Sequence, residues 1–478
     1  MFDSIHHAKP RLEFIPQRFN RFVLKLAHIF LPVLLRFRVR PWLPAGISQV
    51  SVANAKTLVD LYQQFQSGKI RLLMAFRHPE VDDPVCMMYL LSRSVPQAAR
   101  QLGIRLQKPF HSHFVYDRGM TIWAGEWLGL FFSRLGGIPI HRGKRLDRVA
   151  LRTARDLFVN GKMPISVAPE GATNGHSEIV SPLEPGVAQL GFWCVEDLVK
   201  ANRPETVLIV PIGIKYSYIQ PPWSKLDWLL SKLEADSGLI SPLKEGDIKS
   251  SVQKPEEIFY PRLLRLAEHL LTQMEEFYRR FYHQNIAESD PNGSPNQILI
   301  ARLQVLLDTA LRVAEQYFDL QPQGNIIDRC RRVEEVGWNC IYREDISDMN
   351  AISPLHRGMA DWVAAEAKMR MRHMRLVESF VSVTATYVQE KPTVERFAET
   401  TLIIFDTIAR IQGKKSPRRP HLGWRQATLT VGEPISVTER WPLDESDKPT
   451  VGLRDRLKAR KAVNDLTNDI QMSLEKLI

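Results

Sequence analysis

Between residues 50 and 220, short apolar runs of β type alternate with helix-patterned stretches, and this alternation constrains the fold more than any other feature. "IRLLMAF" (70–76), "PISVA" (164–168) and "TVLIVPIGIKY" (206–216) read as buried strands, whereas 84–102, 146–160 and 185–202 read as helices. Alternation of this kind predicts an α/β unit. From about 225 to 420 the pattern is helical, with breaks at "ESDPNGSPN" (288–296), "QPQGN" (321–325) and "KKSPRRP" (414–420). Leu299, Leu303, Leu306, Ala310, Val313 and Tyr317 share one face at helical spacing. The basic, Met-rich "KMRMRHMRL" lies in a second long helical pattern over 356–390; a solvated charged face and a contact with a membrane or partner both fit it. β character returns at "RQATLTVGEPISV" (425–437), before a final amphipathic helix over 452–477. A strand this late predicts a large all-helical insertion before the last strand of the α/β unit. The expected organisation is a basic amphipathic N-terminal segment (1–49), the first part of the α/β domain (50–224), the helical insertion (225–420), and a last strand and helix (421–478).

A chain of 478 residues with net charge +11 calls for an anionic partner: nucleic acid, an anionic membrane surface or a phosphorylated substrate. The basic residues are spread over many segments and no nucleic-acid-binding motif is found, so nucleic acid is the weakest of the three and is not expected as a partner. Cys86, Cys194, Cys330 and Cys340 are far apart and form no CxxC pair, so the expectation is a reduced, cytoplasmic compartment with neither disulfide framework nor zinc site. His111-Ser112-His113 lacks a third ligand nearby and is not read as a metal site.

"NRFVLKLAHIFLPVLL" (20–35) is too short to span a bilayer and is followed by "RFRVRPW" rather than by a small-residue cleavage site. Arg11, Arg18, Arg21, Lys25, Arg36, Arg38 and Arg40 surround it, against the single acid Glu13. Two arrangements fit: a helix lying in a membrane interface with its cations on lipid phosphates, and a helix docked on the protein's own core. "IWAGEWLGLFFSRLGG" (122–137) admits the same two readings.

At "FRHPEVDDP" (76–84) a histidine and an acid five residues apart sit where a strand turns into a helix. Asp83-Pro84 alone reads as an N-cap followed by proline at the first helical position. Three later segments give the pair a second meaning: "LGGIPIHRGKR" (135–145), "APEGATNGHSE" (168–178) and "IVPIGIKY" (209–216). In order and spacing the four resemble the motif blocks of the glycerolipid acyltransferase superfamily, the 1-acylglycerol-3-phosphate acyltransferase or PlsC-type family. His78 and Asp83 fall on its His-x4-Asp motif, Gly137 to Arg142 on the second block, Glu170-Gly171 on the third, and Val210-Pro211-Ile212 on the fourth. "VGEPISV" resembles the family's late strand. The likeness covers roughly 60–220 and 423–478, leaving 225–420 without a counterpart.

The resemblance implies a mixed sheet flanked by helices. It also implies transfer of a fatty acyl group from an acyl carrier protein or coenzyme A thioester to a lysophospholipid hydroxyl, with 1-acyl-sn-glycerol-3-phosphate the expected acceptor. His78 is then the general base, since imidazole suits proton transfer near neutral pH, and Asp83 orients it and stabilises the imidazolium. Arg142, Glu170, Gly171, Gly137 and Pro211 are the implied substrate-binding residues. Ala172-Thr173 stands where Thr-Arg usually completes the third block, so a phosphate-binding cation is missing there, and Lys144 or Arg145 is the candidate substitute. Arg77 replaces a usual Asn and Glu80 a usual small residue; a negative Glu80 favours protonated His78 unless Arg77 offsets it. No metal or bound cofactor is required, and the expected setting is cytoplasmic, peripherally attached to a membrane. Acylation of a different lysolipid or alcohol, and a lipid-binding scaffold without turnover, are the competing readings.

Overall fold

The computed structural model describes residues 7–39, 45–140, 147–239, 255–286, 294–380, 386–414, 418–441 and 453–478. They group into two units, one drawn from 14–220 and 423–478 and the other from 7–13 and 221–422. In chain order the strands are β1 (Lys9–Pro10), β2 (Ile47–Ala53), β3 (Ile70–Phe76), β4 (His113–Asp117), β5 (Ile138–Ile140), β6 (Ile165–Val167), β7 (Thr206–Tyr218), β8 (Tyr342–Arg343), β9 (Arg425–Val431) and β10 (Ile435–Ser436).

All except β1 and β8 join one mixed sheet of the first unit, ordered β2-β9-β7-β3-β6-β4-β5 with β10 against β7. From β7 to β5 the strands are parallel, whereas β9 and β10 run antiparallel to β7. Every residue of β3 is buried, as a strand covered on both faces requires. Leu72, Met74 and Phe76 face one core with Leu58, Cys86 and Ile212; Leu73 and Ala75 face another with Phe158, Phe192 and Leu466.

The helices that cover the sheet begin with α1 (Arg21–Arg36), α2 (Ala55–Gln66), α3 (Asp83–Tyr89), α4 (Val95–Gln101), α5 (Met120–Ala124), α6 (Glu126–Arg134), α7 (Arg148–Asn160) and α8 (Gly186–Lys200). The helix expected over 84–102 is two helices joined by a π turn at Leu90–Ser94. Pro96 follows that turn, and its missing N–H and bulky ring account for the locally widened backbone. A second proline, Pro32, lies inside α1 and leaves the carbonyl of His28 without a helical donor. The Arg93 guanidinium supplies one at 3.2 Å.

The second unit holds α9 (Trp223–Asp236), α10 (Pro255–Tyr282), α11 (Pro295–Tyr317), α12 (Ile326–Ile341), α13 (Pro354–Phe380), α14 (Tyr387–Glu390) and α15 (Val394–Ile411). Buried ion pairs cross between its helices: Arg262 to Glu234 at 2.7 Å and Arg329 to Glu315 at 2.8 Å. In "KMRMRHMRL", Met371 and Met374 are buried and Arg375 pairs with Glu334 at 2.6 Å, so half of that stretch faces inward. In the first unit, α16 (Leu453–Glu475) packs its Leu466 and Ile470 under the sheet.

Three expectations change. The boundary at 49/50 falls inside β2, which pairs in parallel with β9 and was not anticipated because "ISQVSVA" interleaves polar residues. The expected single strand at 425–437 is two, since Gly432-Glu433-Pro434 interrupts the ladder and proline has no N–H to give it. The stretch 225–420 is not all-helical: β8 leaves the end of α12 extended and pairs with β1.

Candidate active site

In a parallel sheet, reactive groups gather where strands end and chains turn. β3 stops at Phe76, paired with Ile212, but β7 continues to Tyr218 with β9 beside it. The longer strand forms a wall beyond the end of β3, and residues 77–83 fold against it. The Arg77 N–H extends the ladder by one bond, donating to the Ile212 carbonyl at 3.0 Å.

The chain then bends through Pro79, and the bend returns Asp83 to His78. His78 Nδ1 lies 3.1 Å from Asp83 Oδ2, with the imidazole side chain 22% exposed and the carboxylate fully buried. The Glu80 N–H donates to the same oxygen at 2.8 Å, and the Tyr216 hydroxyl donates to Oδ1. Burial pushes the Asp83 carboxyl above its usual range, opposed by its bonds to His78, Tyr216 and the Glu80 N–H. A carboxylate only accepts, so the imidazole proton sits on Nδ1 and Nε2 keeps its lone pair. Nε2 is therefore available to accept a proton on the partly exposed side of the ring. Asp83 does not cap the helix: α3 begins at Asp83 itself, and the Asp82 carbonyl accepts from Val85 and Cys86 at 2.9 and 3.1 Å.

Arg77 is fully buried and does not offset Glu80. Its guanidinium faces Glu170 at 3.3 Å and donates to the carbonyls of Ser177 (2.8 Å), His176 (3.2 Å) and Ile179. Arg425, the first residue of β9, takes the offsetting role instead, 3.5 Å from Glu80 and 3.2 Å from Asp82. Nothing short-range in the sequence pointed to Arg425. Asp82 also accepts from the Ala45 N–H at 3.0 Å, and burial outweighs Arg425 to push its carboxyl up from 3.8 to about 7.

A carboxyl raised in the folded state stabilises the fold below its unfolded value and loses that contribution as pH rises through the folded one. Asp82 thus weakens the fold between pH 3.8 and about 7, by up to about 4 kcal/mol. Asp82→Asn removes this term, so the stability of the variant relative to wild type is expected to rise across that interval. Urea denaturation at several pH values measures it, and a constant difference between the two proteins rules it out.

The other residues singled out by sequence are distributed unevenly. Glu170, expected to line a substrate site, is a buried clasp: Oε1 accepts from the His78 N–H at 2.8 Å, and Oε2 from the Ser181 N–H at 2.9 Å and Asn174 at 3.3 Å. Gly171 has φ +70°, a conformation that favours glycine, in the turn closed by its N–H on the Ala168 carbonyl. Gly137 is a close-approach position, since a Cβ there would meet the Phe114 and Tyr116 rings at 3.0 Å. Pro211 is buried inside the sheet. Its carbonyl accepts from the Gly432 N–H at 2.9 Å, so its missing N–H faces the break between β9 and β10. Arg142, Lys144 and Arg145 lie outside the described residues. His111 and His113 hold the turn after α6, with ring nitrogens 2.8 Å from the Leu135 carbonyl and 3.0 Å from the Gly136 carbonyl. No metal-ligand cluster of three or more His, Cys, Asp or Glu is found among the described residues.

The site is thus a histidine held by a buried acid at a strand end of an α/β domain. Residues 54–215 match the family model Acyltransferase, the PlsC-type glycerolipid acyltransferases. The family's chemistry is acyl transfer to a lipid acceptor. No curated protein and no solved structure matches the chain.

Proposed function

We propose that this protein transfers a fatty acyl group from an acyl carrier protein or coenzyme A thioester to the free hydroxyl of a lysophospholipid, with 1-acyl-sn-glycerol-3-phosphate as acceptor and phosphatidic acid as product. The observation that carries the proposal is the His78–Asp83 contact of 3.1 Å within the family-matched span. The acceptor hydroxyl gives its proton to His78 Nε2 as its oxygen attacks the thioester carbonyl. Asp83 stabilises the imidazolium, and collapse of the tetrahedral intermediate expels the thiolate, which takes the proton back. All groups in this scheme come from protein and substrates, so no metal or cofactor is invoked. Purified protein in lipid micelles, given a labelled acyl thioester and a panel of lysolipids and alcohols, tests it. Transfer to acceptors without phosphate only, or competition-free transfer in excess glycerol phosphate, assigns another acceptor.

The proposal includes peripheral attachment to an anionic membrane on the cytoplasmic side, because the acceptor resides in a bilayer. α1 is supporting: Leu24, Ala27, Leu31 and Leu35 face inward, while Phe22 (68% exposed), Leu26, Ile29, Phe30, Val33 and the following Phe37 (59%) form an outward apolar stripe. Arg18, Arg21, Lys25 and Arg36 are exposed beside it, and α1 contains no acid. On α6, Trp127 and Leu130 are exposed too, and Phe131 packs against the cluster of Leu24 and Ala27. No helix among the described residues is long and apolar enough to cross a membrane. Ile29→Glu with Phe30→Glu is expected to weaken binding to phosphatidylglycerol-containing vesicles about a hundredfold, because two apolar side chains exposed on the protein no longer enter the bilayer. Vesicle sedimentation measures this, and wild-type binding by the double variant would count against the stripe.

A further inference from the structure

We propose that Tyr216 is a positioning residue for His78, acting through Asp83, and that Arg425 holds Tyr216 in place. This rests on the acyltransferase reading above. Alternation along β7 puts Ile212, Ile214 and Tyr216 on one face of the sheet, the face on which α3 packs. Because β7 outruns β3, Tyr216 stands beyond the end of β3 and beside the bend that carries His78.

Its hydroxyl donates to Asp83 Oδ1, and it is the only side chain other than His78 with a hydrogen bond to that carboxylate among the described contacts. The Tyr216 proton is committed to Asp83, so the Cys86 thiol, 3.5 Å away, donates to the Tyr216 oxygen. Burial first, then the nearby Asp83, raises the Tyr216 hydroxyl well above its usual range, and burial likewise raises the Cys86 thiol, so both keep their protons. The Arg425 guanidinium lies 4.8 Å from the Tyr216 ring centre, a cation–π contact, while its charge answers Glu80 and Asp82. With Oδ2 held by His78 and the Glu80 N–H, and Oδ1 by Tyr216, the carboxylate cannot turn without breaking a buried bond.

The hydroxyl also sets how strongly Asp83 attracts the shared proton. A donor on Oδ1 spreads the anion's charge and lowers its basicity. Removing that donor makes the His78–Asp83 pair hold its proton to higher pH, which withdraws the free base at neutral pH. The charged and titratable groups around the pair are Glu80, Asp82, Arg425, Cys86, Arg77 and Glu170, and Tyr216→Phe changes none of them.

The test is Tyr216→Phe, with two readouts. In acyl transfer, kcat is expected to fall about tenfold and KM for donor and acceptor to stay within about twofold, with the acid limb of the pH–rate profile moved up about one pH unit. Independently of any substrate, the pH dependence of His78 carbethoxylation by diethyl pyrocarbonate, read by peptide mass spectrometry, is expected to move up by the same amount. A second variant carries 3-fluorotyrosine at 216; its more acidic hydroxyl donates more strongly and is expected to move the titration down. Unchanged titration in both variants overturns the proposal, as does an upward movement in both, which would indicate only disturbed packing. If the titration moves in opposite directions but wild type transfers no acyl group to any acceptor, the positioning role stands and the acyltransferase reading fails.

Discussion

His78→Ala is expected to lower kcat for acyl transfer by about a thousandfold while leaving the fold intact, the middle of the range a positioned general base supplies. The side chain is partly exposed and touches little apolar surface beyond the Phe76 ring, 6.1 Å away edge-on, so its removal opens no core cavity. Asp83 keeps the Tyr216 hydroxyl and the Glu80 N–H as donors after the truncation and is not left as an orphaned buried charge. A large loss of kcat with near-normal KM and thermal stability therefore isolates the base. Asp83→Asn is the informative companion. It returns a carboxamide to the same buried place, where one face must donate, and the imidazole is then free to adopt the wrong tautomer. Full transfer by His78→Ala would remove the histidine from the mechanism. No transfer by wild type from either donor to any acceptor, with vesicle binding intact, would instead favour a lipid-binding scaffold.

How much of this was legible in the sequence depends on the range of each contact. β3 and β7 were readable because continuous burial leaves an unbroken apolar run, and the five-residue spacing of His78 and Asp83 lies within one bend. β2, β4 and β5 were not anticipated, because short or mixed strands carry no period that a window can detect. Arg425 is 343 residues from Asp82 along the chain, and no local pattern links an arginine at the start of a late strand to an acid at an early bend. Tyr216 stood inside a run already read as a strand; its face was predictable from alternation, but its partner was not. Asp83 looked like a helix cap because aspartate before proline usually is one. Here Asp82 carries the helix start through its backbone, which leaves the Asp83 side chain for the imidazole.

Glu170→Ala is expected to be the most destabilising single substitution near the site, costing about 4 kcal/mol, because it strips the partner from a fully buried arginine. Glu170 closes the loop over 168–181 onto the bend that carries His78. It accepts from Arg77 at 3.3 Å, from the His78 N–H at 2.8 Å and from the Ser181 N–H at 2.9 Å. The Gly175 N–H adds a backbone tie to the Pro79 carbonyl at 3.0 Å. With these bonds made, neither oxygen of Glu170 is left facing an open site, and a carboxylate repels a phosphate in any case. Glu170 thus belongs to the support beneath His78 rather than to the lining of an acceptor site. Thermal unfolding is expected to fall by about 10 °C in Glu170→Ala, with kcat reduced through the displaced His78 and acceptor KM nearly unchanged. Glu170→Gln keeps an acceptor for the His78 N–H and is expected to lose less of both. The opposite pattern, normal stability with KM raised only for phosphate-bearing acceptors, would return Glu170 to the substrate.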